Sequence, residues 1–395
     1  MKKSLFRDKD IFFSTIFVFA FIGLLKLSFL HIPQLDPIHA AFEDFEISDI
    51  VYQHKRDNKV ADINNPIVIV EIGNTREEIA AQVEAINAHT PKVIAVDAYF
   101  LSPSDSVRTD SILLATFSKA NNLVVGCFIE NAINSEELVV IKNFIALDSI
   151  CHSGFINFVG EESKTIRYFS PTLQANGEPV NSFAAEIVRL FDSTKYQQLI
   201  QRGKGVERIN FSHSPSQYIP VIAAGEVTDG SVPLDFLKDK IVILGAIDSS
   251  NLNDLHFTPM NQRMAGRSKP DMPGVFIHAN IVEMILSGSY ITKIPDWVMF
   301  VFSVLFTYIT TVFYVYYFVE KHIWYHLMAK IVQFAFFGFF VYIEVMLLNK
   351  WQISLSDKIV LVPIVLLVDL LYFYDAFVKW LHKRFGYSTY FMHGH

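Results

Sequence analysis

The sequence predicts an α/β extracytoplasmic domain with a largely parallel central sheet, plus four transmembrane helices, one N-terminal and three C-terminal. Three observations carry this. Apolar stretches of membrane-crossing length lie at both ends of the 395-residue chain. Between them run short β-branched segments of strand length, and amphipathic helical patterns alternate with those segments. The composition agrees: 51% of residues are hydrophobic, only 18% are charged, and the mean hydropathy is +0.31. That is too apolar for a soluble globule and too polar for a bare helical bundle.

The first apolar stretch, residues 11–30, reads IFFSTIFVFAFIGLLKLSFL. About 20 residues at 1.5 Å each span the ~30 Å hydrocarbon core. His31-Ile32-Pro33-Gln34 follows directly, with no small-x-small cleavage site, so the stretch reads as an uncleaved anchor and not a signal peptide. Three further stretches crowd the C-terminus at residues 297–319, 331–348 and 359–378, all rich in Phe, Tyr, Val and Leu. Orientation follows from short basic segments. Lys2, Lys3, Arg7 and Lys9 precede the first span, and Lys379, Lys383 and Arg384 follow the last. Residues 1–10 and 379–395 are therefore expected in the cytoplasm and residues 31–296 outside it, in a multi-pass protein of a bacterial cytoplasmic (inner) membrane with its main domain in the periplasm or outside.

In that outer segment, residues 67–72 (IVIVEI), 93–96 (VIAV), 123–129 (LVVGCFI) and 241–244 (IVIL) are continuous apolar runs, which suit strands buried on both faces. Ile79, Val83 and Ile86 repeat at helical spacing beside Glu77, Glu78, Gln82 and Glu84. Phe183, Ile187, Leu190 and Phe191, and Ile277, Ile281, Met284 and Ile285, repeat the pattern. Each set has one core face.

No G-x-G-x-x-G or P-loop lysine follows any strand, and there is no G-x-S-x-G, S-x-x-K or H-E-x-x-H. No cofactor and no enzymatic activity are expected. A net charge of −7 gives no basic footprint for nucleic acid. Polar residues cluster beyond strand ends: Asp97 after VIAV, and Asp248, Ser249 and Asp254 among those after IVILGA. Ligands of open α/β sheets sit in this crevice, although Asp, Asn and Ser at such places are also ordinary turn and cap residues. His256 and His278 join the crevice candidates, but with Asp254 they lack any recognised metal-ligand spacing, and no metal is expected. Cys127 and Cys151 are the only cysteines. Sharing an oxidising compartment, they are a candidate disulfide, and buried free thiols are the alternative.

The order of these motifs resembles the type-two CHASE family, the cyclase/histidine-kinase-associated sensory extracellular domains. DFEISDIVYQHKR at residues 44–56 resembles the entry segment, IVIVEIG at 67–73 the first core strand, VIAVDAYF at 93–100 the next, and TDSILLATF at 109–117 the helix after it. GFINF at 154–158 followed by KTIRYF resembles the central motif, and places Arg167 among the crevice candidates. KDKIVILGA at 238–246, DLHFTP at 254–259 and PGVFIHANIVEMIL at 273–286 resemble the closing block. The resemblance covers residues of about 40 to 292 and implies a sensory domain. Two departures stand out: Gly73 runs almost directly into the helix at Glu77, where relatives carry a Trp/Pro/Arg-rich stretch, and Ser163-Lys164-Thr165 replaces an Asp-Gly turn. Only a short tail follows the last span, so a fused catalytic output domain is not expected.

Ionisable residues within the spans cost roughly 2.5 to 3.5 kcal/mol each at a helix centre. Lys26 and Glu344 share a depth and are candidates for mutual contact. Asp369 lies near the middle of the last span and is expected to be protonated, paired or buried. Thr307, Tyr308, Thr310, Thr311 and Tyr314 on the second span, with Asp369 on the fourth, predict contact with a membrane protein partner or a homo-oligomer, besides membrane lipid. The reading is a membrane receptor or scaffold that binds a signal or protein outside and acts through a separate partner. A structural subunit of an envelope or membrane assembly is the alternative, and an ion- or proton-coupled component a third.

Overall fold

The structure, a computed structural model, describes residues 9–29, 46–55, 62–120, 122–132, 137–158, 165–212, 219–248, 254–261, 270–319 and 325–389. The chain divides into two compact units, residues 52–291 and residues 1–51 with 292–395.

The first unit holds β1 (Ile67–Glu71), β2 (Val93–Val96), β3 (Leu123–Asn131), β4 (Leu138–Ile141), β5 (His152–Phe155), β6 (Tyr168–Phe169), β7 (Thr172–Ala175), β8 (Glu178–Asn181), β9 (Glu207–Arg208), β10 (Val221–Ile222), β11 (Ile241–Gly245), β12 (Leu255–His256) and β13 (Met272–Pro273). Among the described residues seven of these form one sheet in the order β10-β1-β11-β2-β3-β4, with β5 also on β3. Every pairing in it is parallel except β3 with β4. Strand β3 is long enough that Val124–Cys127 face β5 and Phe128–Asn131 face β4.

The apolar runs form strands because both sheet faces are covered. Val68, Val70, Val242, Leu244, Ile94, Val96 and Val125 enter one core with Ile79, Val83, Ile86, Leu113 and Phe117. Ile67, Ile69, Ile241, Ile243, Val93, Ala95 and Val124 are equally buried toward the other face. The boundary between the two units falls within a short helix, α2 (Asp49–Lys55). Two helices cover the first face: α3 (Arg76–Asn87) and α4 (Val107–Phe117). After the one-turn α5 (Ile145–Asp148) come α6 (Phe183–Phe191), α7 (Ser193–Gln201) and α8 (Gly274–Ser287), of which α6 and α8 lie against the sheet.

The short turn from β1 into α3 is closed by a capping box. The Thr75 hydroxyl accepts from the Glu78 N–H at 3.2 Å, and the Glu78 carboxylate accepts from the Asn74 and Thr75 N–H groups at 2.7 and 3.3 Å. This satisfies donors that every helix start leaves open. Arg76, next in sequence, ties α3 to the loop after β2. Its guanidinium pairs with Asp110, donates to Ser102 O at 2.7 Å, and lies 5.3 and 5.5 Å from the Phe100 and Phe144 ring centres.

The second unit contains α1 (Lys9–Phe29), the parallel pair β14 (Thr292–Lys293) and β15 (Ile353–Ser354), and α9 (Asp296–Val319), α10 (Tyr325–Trp351) and α11 (Asp357–Phe385). Among the described residues, three helical stretches are long and apolar enough to cross a membrane: Asp296–Tyr316, Leu327–Trp351 and Asp357–Phe385. The last two helices outrun the apolar stretches at 331–348 and 359–378. Hydropathy marks the apolar part only, whereas helical hydrogen bonding continues into polar ends such as His382-Lys383-Arg384, favoured at a C-terminus. Pro363 in α11 has no N–H, and the carbonyl this leaves at Ile359 instead accepts from the Ser303 hydroxyl at 2.8 Å. Gln333 of α10 donates to Ile364 O at 2.8 Å.

Helix α1 packs on α9 and α11. Phe17 lies 5.6 Å from Tyr374, and Phe21 stacks on Phe373 at 5.9 Å. Gly386, in the left-handed region with φ 66°, turns the chain out of α11. The Tyr387 hydroxyl then donates to Asp10 at 3.0 Å, with the Lys9 ammonium 4.5 Å above the Tyr387 ring. This clasp joins the start of α1 to the end of α11.

Candidate functional site

The site grows from the carboxyl ends of the central strands. Asp97 is the first residue beyond β2, and its N–H donates to Leu244 O of β11 at 2.8 Å. Gly245 ends β11, and a Cβ there would stand 2.6 Å from Val275 Cβ and 3.3 Å from Asp97 Cβ. Only glycine lets α8 approach the strand ends this closely. The approach brings His278, about one turn after Val275 on the same helix, to the carboxylate: its Nε2 lies 3.9 Å from Asp97 Oδ1.

Aromatic rings wall this pair. The His278 imidazole lies 4.6 Å from the Phe158 ring at 30° and 5.1 Å from the Phe183 ring, edge on. His256, on β12, meets Phe158 edge on at 5.2 Å. Strand β12 is held by β13, which leads directly into α8, so one continuous piece of chain presents both histidines. His278 is 3% exposed, and its Nδ1 has no hydrogen-bond partner among the described residues.

Burial sets the electrostatics. It pushes the Asp97 carboxyl up to about 7, reinforced by the Asp254 charge. Burial pulls His278 down to about 3, with His256 adding to the shift, and lowers His256 against the pull of Asp254. A carboxyl that holds its proton to near neutrality, 3.9 Å from a neutral imidazole, is the kind of perturbation that marks functional clefts. Among the described residues no group of three or more His, Cys, Asp or Glu side chains is arranged to hold a metal ion.

The other sequence candidates fall in different places. Arg167 is buried one strand away: the N–H of Ile166 donates to Phe257 O at 2.8 Å, and the Arg167 carbonyl accepts from Ile209. Asp248 is exposed, and Ser249 lies outside the described residues. Lys26 belongs to α1, but its side chain lies outside the described residues, so its expected contact with Glu344 does too. Glu344 is buried. Asp369 is paired, as one of its three expected states required, its carboxylate accepting from Lys330 at 2.8 Å through both oxygens.

One expectation is corrected, and the polar face of the second span is placed. Cys127 and Cys151 are both free. The register explains why: Cys127 faces Phe155 and Val124 faces His152, so the two cysteines are offset by about 13 Å along adjacent strands at ~3.3 Å per residue, beyond disulfide reach. The hydroxyl face of the second span does not point outward. Thr307, Thr310, Thr311 and Tyr314 are buried within the helical unit, and Thr310 donates to the Phe306 and Thr307 carbonyls of its own helix at 2.8 and 3.0 Å.

Phe158 and Phe183 were missed as site residues because an aromatic residue in an apolar run signals core and nothing more. Lys330 was missed because it stands where the apolar stretch begins and reads as a loop residue.

The CHASE2 domain family matches residues 26–316 of the chain. No curated protein and no solved structure matches it. The match runs from within α1 through the sheet and its crevice into α9, and it contains every crevice candidate. The chain belongs to the CHASE2 family of sensory extracellular domains.

Proposed function

We propose that this protein is a receptor of a bacterial cytoplasmic membrane, whose CHASE2 domain lies outside the cytoplasm, senses a signal or a protein there, and acts through a separate partner in the membrane. The observation that carries the reading is the Asp97–His278 pair. It puts a proton-bearing, aromatic-walled polar group at the sheet's carboxyl edge, on the helix whose chain continues through Gly288 into α9. A change at this pair acts on α8, and α8 is the element that leads by chain into the first C-terminal apolar helix.

For the topology, α1 is the fourth span. Its 21 residues rise about 31 Å, and the Tyr387–Asp10 clasp keeps both chain ends on one side. The basic residues at those ends make that side the cytoplasm. A periplasm-dependent reporter inserted at Asp229 is expected to be active, and the same reporter after His395 inactive. Activity at His395 overturns the topology.

The sensory reading is tested by affinity purification of the full chain from native membranes, wild type against Asp97→Asn. A receptor yields a co-purifying chain whose recovery changes at least about threefold in the variant, whereas a structural subunit yields the same partners in the same ratio. Equal recovery sinks the sensory reading.

A further inference from the structure

The Lys330–Asp369 pair sits at an unusual place. Asp369 stands nine residues before Val378 on α11, about 14 Å of helical rise, inside the apolar stretch Asp357–Phe385. Yet the pair is not inside the helical unit. The Lys330 and Asp369 side chains are 40% and 51% exposed, on a face where α11 turns Val362, Val365 and Phe373 outward as well. The two charges neutralise each other at 2.8 Å, but an ion pair with one side turned to lipid is still costly, and such groups usually face protein.

The helix that carries Lys330 is also the peripheral one. Only 22% of the apolar stretch of α10 is buried inside the protein, against 44% for α9 and 56% for α11. Its outward side includes Ala335 and Gly338, both exposed, and a Cβ at Gly338 would meet nothing within 4 Å. Small residues on an open face let another helix approach closely.

We infer that the α10–α11 face is the contact between two copies of this chain, related by a two-fold axis that brings each Lys330–Asp369 pair against the other. The charges select this occupant. A surface that presents one cation beside one anion is complementary to itself under two-fold rotation, so Lys330 of each copy meets Asp369 of its mate and four charges neutralise one another away from lipid. The inference rests on the membrane reading for α10 and α11 and not on the sensing of any signal. It moves the expected membrane contact from the second and fourth spans to the third and fourth.

The test is a charge swap between two differently tagged full-length copies, co-expressed and recovered in lipid nanodiscs. Wild-type copies are expected to co-purify. Asp369→Lys with itself puts two cations on each face, and Lys330→Asp with itself two anions. Each is expected to lose about tenfold or more of the recovery by like-charge repulsion. Asp369→Lys with Lys330→Asp restores it, which also shows that both variants fold. Equal recovery in all combinations, or no restoration in the mixed pair, overturns this face while leaving self-association by another. Wild-type copies that integrate into the membrane but never co-purify overturn the dimer and leave the receptor reading intact. Failure of the wild type to resist alkaline extraction overturns the membrane reading beneath it.

Discussion

Asp97→Asn is expected to make the CHASE2 domain more stable above pH 7, by a few kcal/mol on the scale of ~1.4 kcal/mol per pKa unit. An unfolded aspartate ionises near 3.8, whereas the folded Asp97 keeps its proton to about 7. Between those values the folded state binds more protons, so this group's contribution falls as pH rises and stays fully lost above 7. His278 works in the opposite sense. It titrates near 6.5 when unfolded but near 3 when folded, so its contribution is present above 6.5 and is lost as pH falls toward 3. From about pH 4 to 6.5 the two slopes cancel, because the folded pair and the unfolded pair each hold one proton. The single variants expose them. Asp97→Asn gives stability that rises with pH across this window, and His278→Asn gives stability that falls, each by about 1.4 kcal/mol per pH unit. Thermal unfolding of the full chain in detergent from pH 4 to 8 reads both. Parallel slopes in wild type and variants mean that folding does not move the two groups apart in this way.

Arg76→Ala is expected to destabilise the same domain by about 3 kcal/mol, the cost of leaving a buried carboxylate without its cation. Asp110 is 11% exposed at its side chain and also accepts from the Ser104 N–H at 2.8 Å. Removing the guanidinium strips it of its charge partner and leaves Ser102 O and the faces of Phe100 and Phe144 uncovered. Asp110→Asn in the Arg76→Ala background is expected to recover about half of the loss, because the stranded charge is then gone. A urea midpoint unchanged in Arg76→Ala refutes this account.

The strands were legible because burial on both faces writes itself as an unbroken β-branched run, as in Ile67–Glu71 and Ile241–Gly245. Helices α3, α6 and α8 were legible from their spacing. The order of the sheet was not: β11 lies between β1 and β2 although about 150 residues follow β2 before it begins, and no local pattern encodes that insertion. Asp97, His256 and His278 were found by their places after strands and on a helix face. Their meeting was hidden, because it depends on Gly245 admitting Val275 and α8. In the helical unit, Asp369 announced itself as a charge in an apolar stretch. Its partner did not, since Lys330 comes from an antiparallel helix whose register against α11 is set by packing such as Ala329 against Leu367 and Leu371.

The clasp between Tyr387 and Asp10 has a consequence for biosynthesis. Its two ends are 377 residues apart, so at 5–20 residues per second the ribosome adds Tyr387 roughly 20–75 s after Asp10. Helix α1 is made long before α9 and α11, on which it packs. It is equipped for the delay: Ser14 and Thr15 donate their hydroxyls to Ile11 O of the same helix, each at 2.9 Å, and so need no other helix to satisfy them. Asp10 accepts the Tyr387 hydroxyl only once α11 and the turn at Gly386 have been made. Closure of the clasp therefore waits for the synthesis of α11, and a nascent chain stalled before α11 holds α1 without the helix that clasps it.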